Sequence, residues 1–260
     1  MAEGRVGWLQ VAPVKSTALH AVEEIWLDVD GARGDRRFLL LDDDDHLING
    51  TKLGAVVQVR SDWDEATRSL VLTMPDGESV AGGVAVGDTR EVTLYGEQRT
   101  VRPVLGRWSD GLSAWAGREV RLVEAASAGA GLDRGRAGGA TLLGAASLTA
   151  LAAEIGVDSL DPRRFRMLVG IDALPAFMED TWVGKRVAVG DATVLVHGNV
   201  GRCVVTTQDP ATGAVDLPTL KVLQRFRGPV DTTEPLPFGV WGEVLVAGRV
   251  AVGDPCAVVD

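Results

Sequence analysis

The chain has 260 residues, 46% of them hydrophobic and 24% charged, which excludes an intrinsically disordered protein and leaves ample apolar material for a large core. A formal net charge of −10 argues against nucleic acid as a partner, because affinity for a phosphate backbone comes from clustered Lys and Arg. No run approaches the roughly 18 apolar residues of a membrane helix, and Met1 to Val6 lack a basic-then-apolar leader, so the expectation is a cytoplasmic protein with no membrane partner. Cys203 and Cys256 are the only cysteines and form no Cys-x-x-Cys pattern, so neither a disulfide framework nor a structural zinc site is expected. Of 26 basic residues four are lysines (Lys15, Lys52, Lys185 and Lys221), which leaves 22 arginines. That excess has two readings, codon usage or guanidinium groups forking onto an anionic ligand in a cleft.

Period-two alternation of apolar residues predicts strands over 6–11, 24–29, 37–41, 55–60, 70–74, 91–95, 120–124, 166–170, 192–196 and 203–207. Residues 60–68 read as the polar loop of a hairpin. The sequence Val-Ala-Val-Gly-Asp occurs at 84–88, 187–191 and 250–254, each time as a strand closing in a Gly-Asp turn, which is a structural repeat rather than a site. Short helices are predicted over 110–116, 147–155 with Ser147 as N-cap, and 217–227 with Pro218 in the first turn. Residues 125–140 are a small-residue loop carrying Arg134 and Arg136. Many short strands between close turns give a mainly β protein built as a barrel or sandwich. The division falls near residue 105, with a β region over 1–105 and a second domain over 106–260.

Several short clusters bear chemistry. Cys203 follows Gly201-Arg202 and precedes Val-Val-Thr-Thr-Gln-Asp209-Pro-Ala-Thr-Gly213. That places a thiol at the mouth of a predicted strand beside a cation able to favour its thiolate, or leaves it a plain buried cysteine. Pro13-Val14-Lys15-Ser16 pairs a cation with a hydroxyl where the first strand ends, which suits a phosphate, a polar heterocycle or plain solvent. Gly34-Asp35-Arg36 suggests a tight bend or anion nest. Asp161-Pro-Arg-Arg164-Phe165-Arg166 leads towards Glu179-Asp180-Thr181-Trp182, whose carboxylates either form an acid–base pair or brace arginines such as Arg164. The histidines His20, His46 and His197 have no partners at metal-ligand spacing.

Taken in order, these clusters, together with Ser147-Leu148, Phe238-Gly239 and the closing Val252-Gly253-Asp254, resemble the MOSC family, the β-barrel proteins related to the C-terminal domain of molybdenum cofactor sulfurase. The specific part is Arg-Cys followed by Thr-Thr-x-Asp-Pro-x-Thr-Gly. The resemblance runs from about residue 5 to 258 and includes the N-terminal β-barrel region that often precedes the MOSC core. It implies a β-barrel MOSC core with an N-terminal β region and a few short helices. Similarity to the amidoxime-reducing members implies a molybdenum cofactor (molybdopterin) between the two β regions, with Cys203 as the ligand to molybdenum. Lys15, Ser16, Arg36, Ser147 and Arg166 match cofactor contacts, Arg202 adjoins the thiol, and Asp209 is a possible proton relay or a fixed point of its turn. The chain departs from the family's frequent Arg-Phe-Arg-Pro-Asn, reading Arg164-Phe165-Arg166-Met167-Leu168, and has Asn49-Gly50-Thr51-Lys52 where Thr-x-Arg is usual, so that Lys52 stands in for an arginine. The implied activity is reduction of N-oxygenated small-molecule substrates, with electrons from a separate donor protein. The alternative is a sulfur carrier bearing a persulfide on Cys203, charged by a cysteine desulfurase.

Overall fold

The computed structural model describes residues 3–126, 133–228, 230, 232 and 234–259. Strands account for 42% of the chain, and the described residues form three α-helices, α1 (Trp108–Ala116), α2 (Ala145–Ile155) and α3 (Thr219–Arg227). Seven strands close into a barrel in the order Val169–Asp172, Ala140–Gly144, Pro237–Val246, Ala192–Gly201, Arg186–Val189, Pro255–Val259 and Gly4–Val11, the last pairing back onto the first. Closure leaves no free sheet edge around the barrel. The pair Ala140–Gly144 and Val169–Asp172 is parallel and needs a crossover, which α2 supplies. Gly170 is required where it stands, since a Cβ there would lie 1.9 Å from the Trp8 indole.

His20–Val22 extends Gly4–Val11, a small sheet of Gly248–Ala251, Glu24–Asp28 and Gly31–Ala32 packs onto the barrel core, and the other strands form a second body. Phe38–Leu41 pairs with Arg121–Ala125, which pairs with Glu97–Leu105 and so with Arg90–Leu94. Arg60–Asp64, Ser69–Thr73 and Ser79–Gly83 make a separate three-stranded sheet. Their apolar faces meet around Val14, Phe38, Ile48, Leu72 and Trp108, while the barrel encloses its own core around Leu9, Leu142, Val187 and Val240. The chain crosses between the bodies at once. Gly4–Val11 belongs to the barrel, and the next residues bond to the other sheet, Lys15 N to Phe38 O at 2.8 Å and Phe38 N to Pro13 O at 3.0 Å. Among the described residues no helix is long and apolar enough to cross a membrane.

Local chemistry overrides several sequence expectations. Residues 203–207 form a 3-10 turn, Val204–Thr207, because Thr206 and Thr207 hydroxyls donate back to the carbonyls of Cys203 (2.9 Å) and Val204 (2.7 Å). Residues 55–60 lie largely in another 3-10 turn, Gly54–Gln58. It is docked by Gly54 and Gly213, whose backbones approach so closely that a Cβ on Gly213 would meet Gly54 O at 2.0 Å. The expected hairpin loop over 60–68 is shorter, since Arg60–Asp64 is a strand and Asp64 accepts from Ala66 N (2.9 Å) in the turn that follows. The 166–170 strand begins at Val169, because Arg166 adopts φ 54°. Helix α2 starts at Ala145 with Gly144 as N-cap, so Ser147 is inside its first turn rather than capping it. Part of the 125–140 loop, residues 127–132, lies outside the described residues.

One buried carboxylate ties the second body together. Glu124 is fully buried and accepts from Arg37 Nε (2.8 Å), Arg68 Nη2 (3.1 Å) and Arg102 Nη2 (2.7 Å). Removing it leaves three guanidinium groups short of their shared counter-charge, so Glu124→Ala is expected to cost about 3–5 kcal/mol in urea unfolding. Glu24→Ala, which breaks an exposed pair with Arg249, is expected to cost under about 1 kcal/mol. Equal losses in the two variants would contradict this account.

Candidate functional site

A cavity of about 500 Å³ opens between the two bodies, lined by residues from both. Lys15 and Ser16 come from the crossing segment, Arg36 from the bend before Phe38–Leu41, and Asn49 to Thr51 from the following turn. Arg164 to Met167 come from the 3-10 turn Pro162–Phe165 and its exit, and Val200 to Cys203 from the end of the long barrel strand. Among the described residues six cationic side chains line it (Lys15, Arg36, Arg134, Arg164, Arg166 and Arg202) against one carboxylate, Asp133. A surplus of positive charge in a low-dielectric cleft makes an anion site even in an acidic protein.

The wall is held by hydrogen bonds that leave little slack. Asp35 accepts from Ala12 N (2.8 Å) and pairs with Arg36 Nη1 (2.6 Å), while Arg36 Nη2 donates to Arg166 O (2.9 Å). Arg166 in turn donates to Thr17 O (2.9 Å). Of the nine non-glycine residues with positive φ among the described residues, Ser16, Arg36, Tyr95 and Arg166 all line the cavity. Each such conformation costs on the order of 1–3 kcal/mol and persists only where its surroundings over-determine it, a pattern typical of binding sites.

Burial sets the charges on edge. It pulls the Arg166 guanidinium down to about 10, helped by repulsion from Arg36. Arg202 is pulled to about 9, again by burial and then by Arg134. Arg202 has no carboxylate partner at salt-bridge distance among the described residues; it donates instead to Phe165 O (2.8 Å), Phe238 O (2.9 Å) and Met167 Sδ (3.0 Å). Lys15, 7% exposed, is lowered by burial, with Asp133 opposing the shift from 2.5 Å. Burial alone would raise Asp133, but Lys15 and Arg36 hold it down at about 2. Cys203 stands at the rim with an exposed thiol, whereas Cys256 is buried in the barrel and its thiol is pushed up to about 12 by desolvation.

Of the expected site residues, Lys15, Ser16, Arg36, Arg166, Arg202 and Cys203 converge on this one cavity. Two do not. Asp209 points into its own turn, accepting from Ala211 N, Thr212 N (both 2.8 Å) and Thr212 Oγ1 (3.1 Å), which uses its carboxylate as a turn-former. Ser147 is buried in α2 and bonded to Glu179 Oε1 (2.7 Å) and Phe177 N (2.8 Å), away from the cavity lining. Lys52 pairs with Asp42 at 3.2 Å instead of reaching the site. Of the 179–180 pair only Asp180 braces an arginine, Arg227, and it also holds Asn199; Glu179 accepts from Ser147 and Gly144 N, and Arg164 is held by Asp216 at 2.7 Å. Tyr95 and Asp133 are cavity residues that sequence patterns did not single out. Tyr95 lies at the tip of the hairpin between Arg90–Leu94 and Glu97–Leu105, where Tyr-Gly was a usable turn signal.

With this geometry in view, the sequence comparisons are decisive. The profile of the MOSC domain matches residues 138–257, and that of the MOSC N-terminal beta barrel domain matches residues 3–104. The chain belongs to the MOSC family. It is 36% identical over 98 residues to the mitochondrial amidoxime reducing component 2 of Rattus norvegicus, and 33% identical over 96 residues to the mitochondrial amidoxime-reducing component 1 of Danio rerio. Each match spans 35% of this chain and 28% of the relative's length. Among solved structures, the YUAD protein of Bacillus subtilis aligns over 98% of this chain and 95% of its own at 12% identity and a TM-score of 0.46.

MOSC domains and amidoxime-reducing components are generally associated with the molybdenum cofactor, and the residues present fit such a group. A soft, exposed thiol at the rim suits a sulfur-rich molybdenum shell. The cations behind it suit a phosphate, and Arg202 lacks the carboxylate that a purely structural arginine would be expected to find. Met167 and Phe165 add apolar wall for a planar ring.

The Glu179 side chain, which accepts from Ser147 and Gly144 N, makes a pH test possible. It is fully buried, Oε2 has no hydrogen-bond partner, and burial raises its pKa above 4.5 despite the opposing Ser147 bond. A raised carboxyl contributes stability that is present below its ordinary value and lost as pH rises through the folded value. Glu179→Gln does not titrate, so melting temperatures at pH 4 and pH 8 should show the wild type falling relative to the variant on going to pH 8. Parallel behaviour would contradict the shift.

Proposed function

We propose that this MOSC protein binds the molybdenum cofactor in the cavity between its two bodies and reduces N-oxygenated small molecules, with Cys203 as the protein ligand to molybdenum. The observation that carries this reading is the convergence of one exposed thiol with six cations against a single carboxylate in one cavity. When bound, the cofactor supplies two-electron oxygen-atom chemistry. The chain supplies the rest. Lys15, Ser16 and Arg36 bind the phosphate end, their backbone fixed by the Asp35 bonds. Arg166 adds positive charge to the same region from a position set by Thr17. Arg202, locked onto the Phe165 and Phe238 carbonyls, sets the orientation of the backbone that presents Cys203. Leu168 stands where the family frequently has asparagine, and Met167, where proline is frequent, adds an apolar wall to the cavity that favours an apolar substrate body. Electrons come from a separate donor protein, and the reading places the protein in the cytoplasm.

The exposure of Cys203 also suits a second reading, a sulfur carrier on which the thiol holds a persulfide delivered by a cysteine desulfurase. One preparation separates the two. Protein from a host that makes the cofactor is analysed for molybdenum and for the fluorescence of the oxidised pterin, wild type beside Cys203→Ser. Near-stoichiometric metal and pterin, with at least a tenfold loss of acetamidoxime reduction in the variant, is the expected result. Folded wild-type protein without metal or pterin, bearing cyanide-releasable sulfur on Cys203, would replace the oxidoreductase reading with sulfur transfer.

A further inference from the structure

We propose that Asp133 is a built-in counter-ion at the Lys15 end of the cavity, which an anionic group of the ligand must displace in order to bind. The proposal rests on the anion-binding reading above. A nearly buried ammonium needs a partner, since an isolated charge in such a place costs several kcal/mol on the order of the desolvation penalty. Lys15 meets that need with Asp133 Oδ1 at 2.5 Å. The carboxylates that neutralise the other cavity cations do so from behind the wall: Asp35 on Arg36, Asp216 on Arg164 and Glu234 on Arg134. None of those three lines the cavity, and Asp133 does. Its side chain is 52% exposed and lines the cavity in contact with Lys15. It therefore occupies the space in which an incoming phosphate would meet Lys15.

Tyr95 and Asn49 line the cavity beside the pair. Asn49 uses Oδ1 to accept from Thr51 N (3.0 Å) and Lys52 N (3.2 Å). The Tyr95 hydroxyl lies near Asn49 and Asp133, and burial together with the Asp133 charge raises its pKa. The ring also lies 5.9 Å from Lys15 Nζ. Asp133 thus stands in for an anion, its carboxylate against Lys15 and beside Tyr95. Because the competing carboxylate is tethered, it acts at an effective concentration on the order of millimolar or higher. The ligand's apparent affinity falls by the fraction of protein in which the site is open.

The test uses the full chain free of cofactor and inorganic phosphate as the probe, titrated calorimetrically. Asp133→Asn is expected to bind phosphate at least about tenfold more tightly than wild type, and Asp133→Glu about as the wild type does. Phosphate binding to the wild type should perturb the near-ultraviolet absorption of Tyr95, the only tyrosine in the chain, a signal missing from Tyr95→Phe. Without phosphate, Asp133→Asn should melt below the wild type and recover more when phosphate is added, which separates a folded, open site from a damaged one. Equal or weaker binding by the variant, or wild-type binding with no tyrosine signal, overturns the proposal and leaves the anion-binding reading standing. Absence of phosphate binding in every form overturns both.

Discussion

Positive charge gathered inside an acidic molecule is the constraint on which this structure turns. Six cations line one cavity of a chain whose formal charge is −10, and each must be compensated or it would oppose folding. The solutions differ from residue to residue. Arg36, Arg164 and Arg134 are paired from outside the cavity. Among the described residues Arg202 has no carboxylate partner and is held by two carbonyls and the Met167 sulfur. Lys15 borrows Asp133 from within. The same pairing that stabilises the free protein therefore defines which groups a ligand must satisfy or replace.

The fold exists to hold these charges at fixed positions. A closed barrel and a smaller sheet are joined where Gly4–Val11 gives way to Lys15 and Ser16, and the bonds between Lys15, Phe38, Arg36 and Ala12 make that junction rigid. Four lining residues with positive φ show that the backbone is bent against its ordinary preference at the cavity, and the surrounding hydrogen bonds carry that cost. The Glu124 cluster then stiffens the sheet behind Arg36.

Much of this was legible in the sequence, for reasons that differ by element. Alternation exposed most of the strands, because one face of each is buried in a core. The order of Lys15-Ser16, Arg36, Arg164-Phe165-Arg166 and Arg202-Cys203 exposed most of the cavity, since those residues lie at strand exits where side chains can meet a ligand. For Asp209 the motif left a relay and a turn-former both open, and its carboxylate turns onto its own loop amides, while the Ser147 hydroxyl turns onto a buried Glu179, because a motif gives residue types without directions. The 203–207 turn was hidden because Val-Val-Thr-Thr has strand propensity, which two threonine hydroxyls overrode locally. Tyr-Gly marks Tyr95 as a turn residue, but no local pattern places it or Asp133 at the cavity. They lie 80 and 118 residues from Lys15 in the chain, and only the packing of the two bodies brings them to it.

In the proposed reading the Cys203 thiolate ligates molybdenum held in the cationic cavity. X-ray absorption at the molybdenum edge of the loaded protein tests it most directly, by counting sulfur scatterers in wild type and in Cys203→Ser. The account predicts one fewer sulfur in the variant while the cofactor is still retained through Lys15, Arg36 and Arg166. An unchanged sulfur shell in the variant would contradict it.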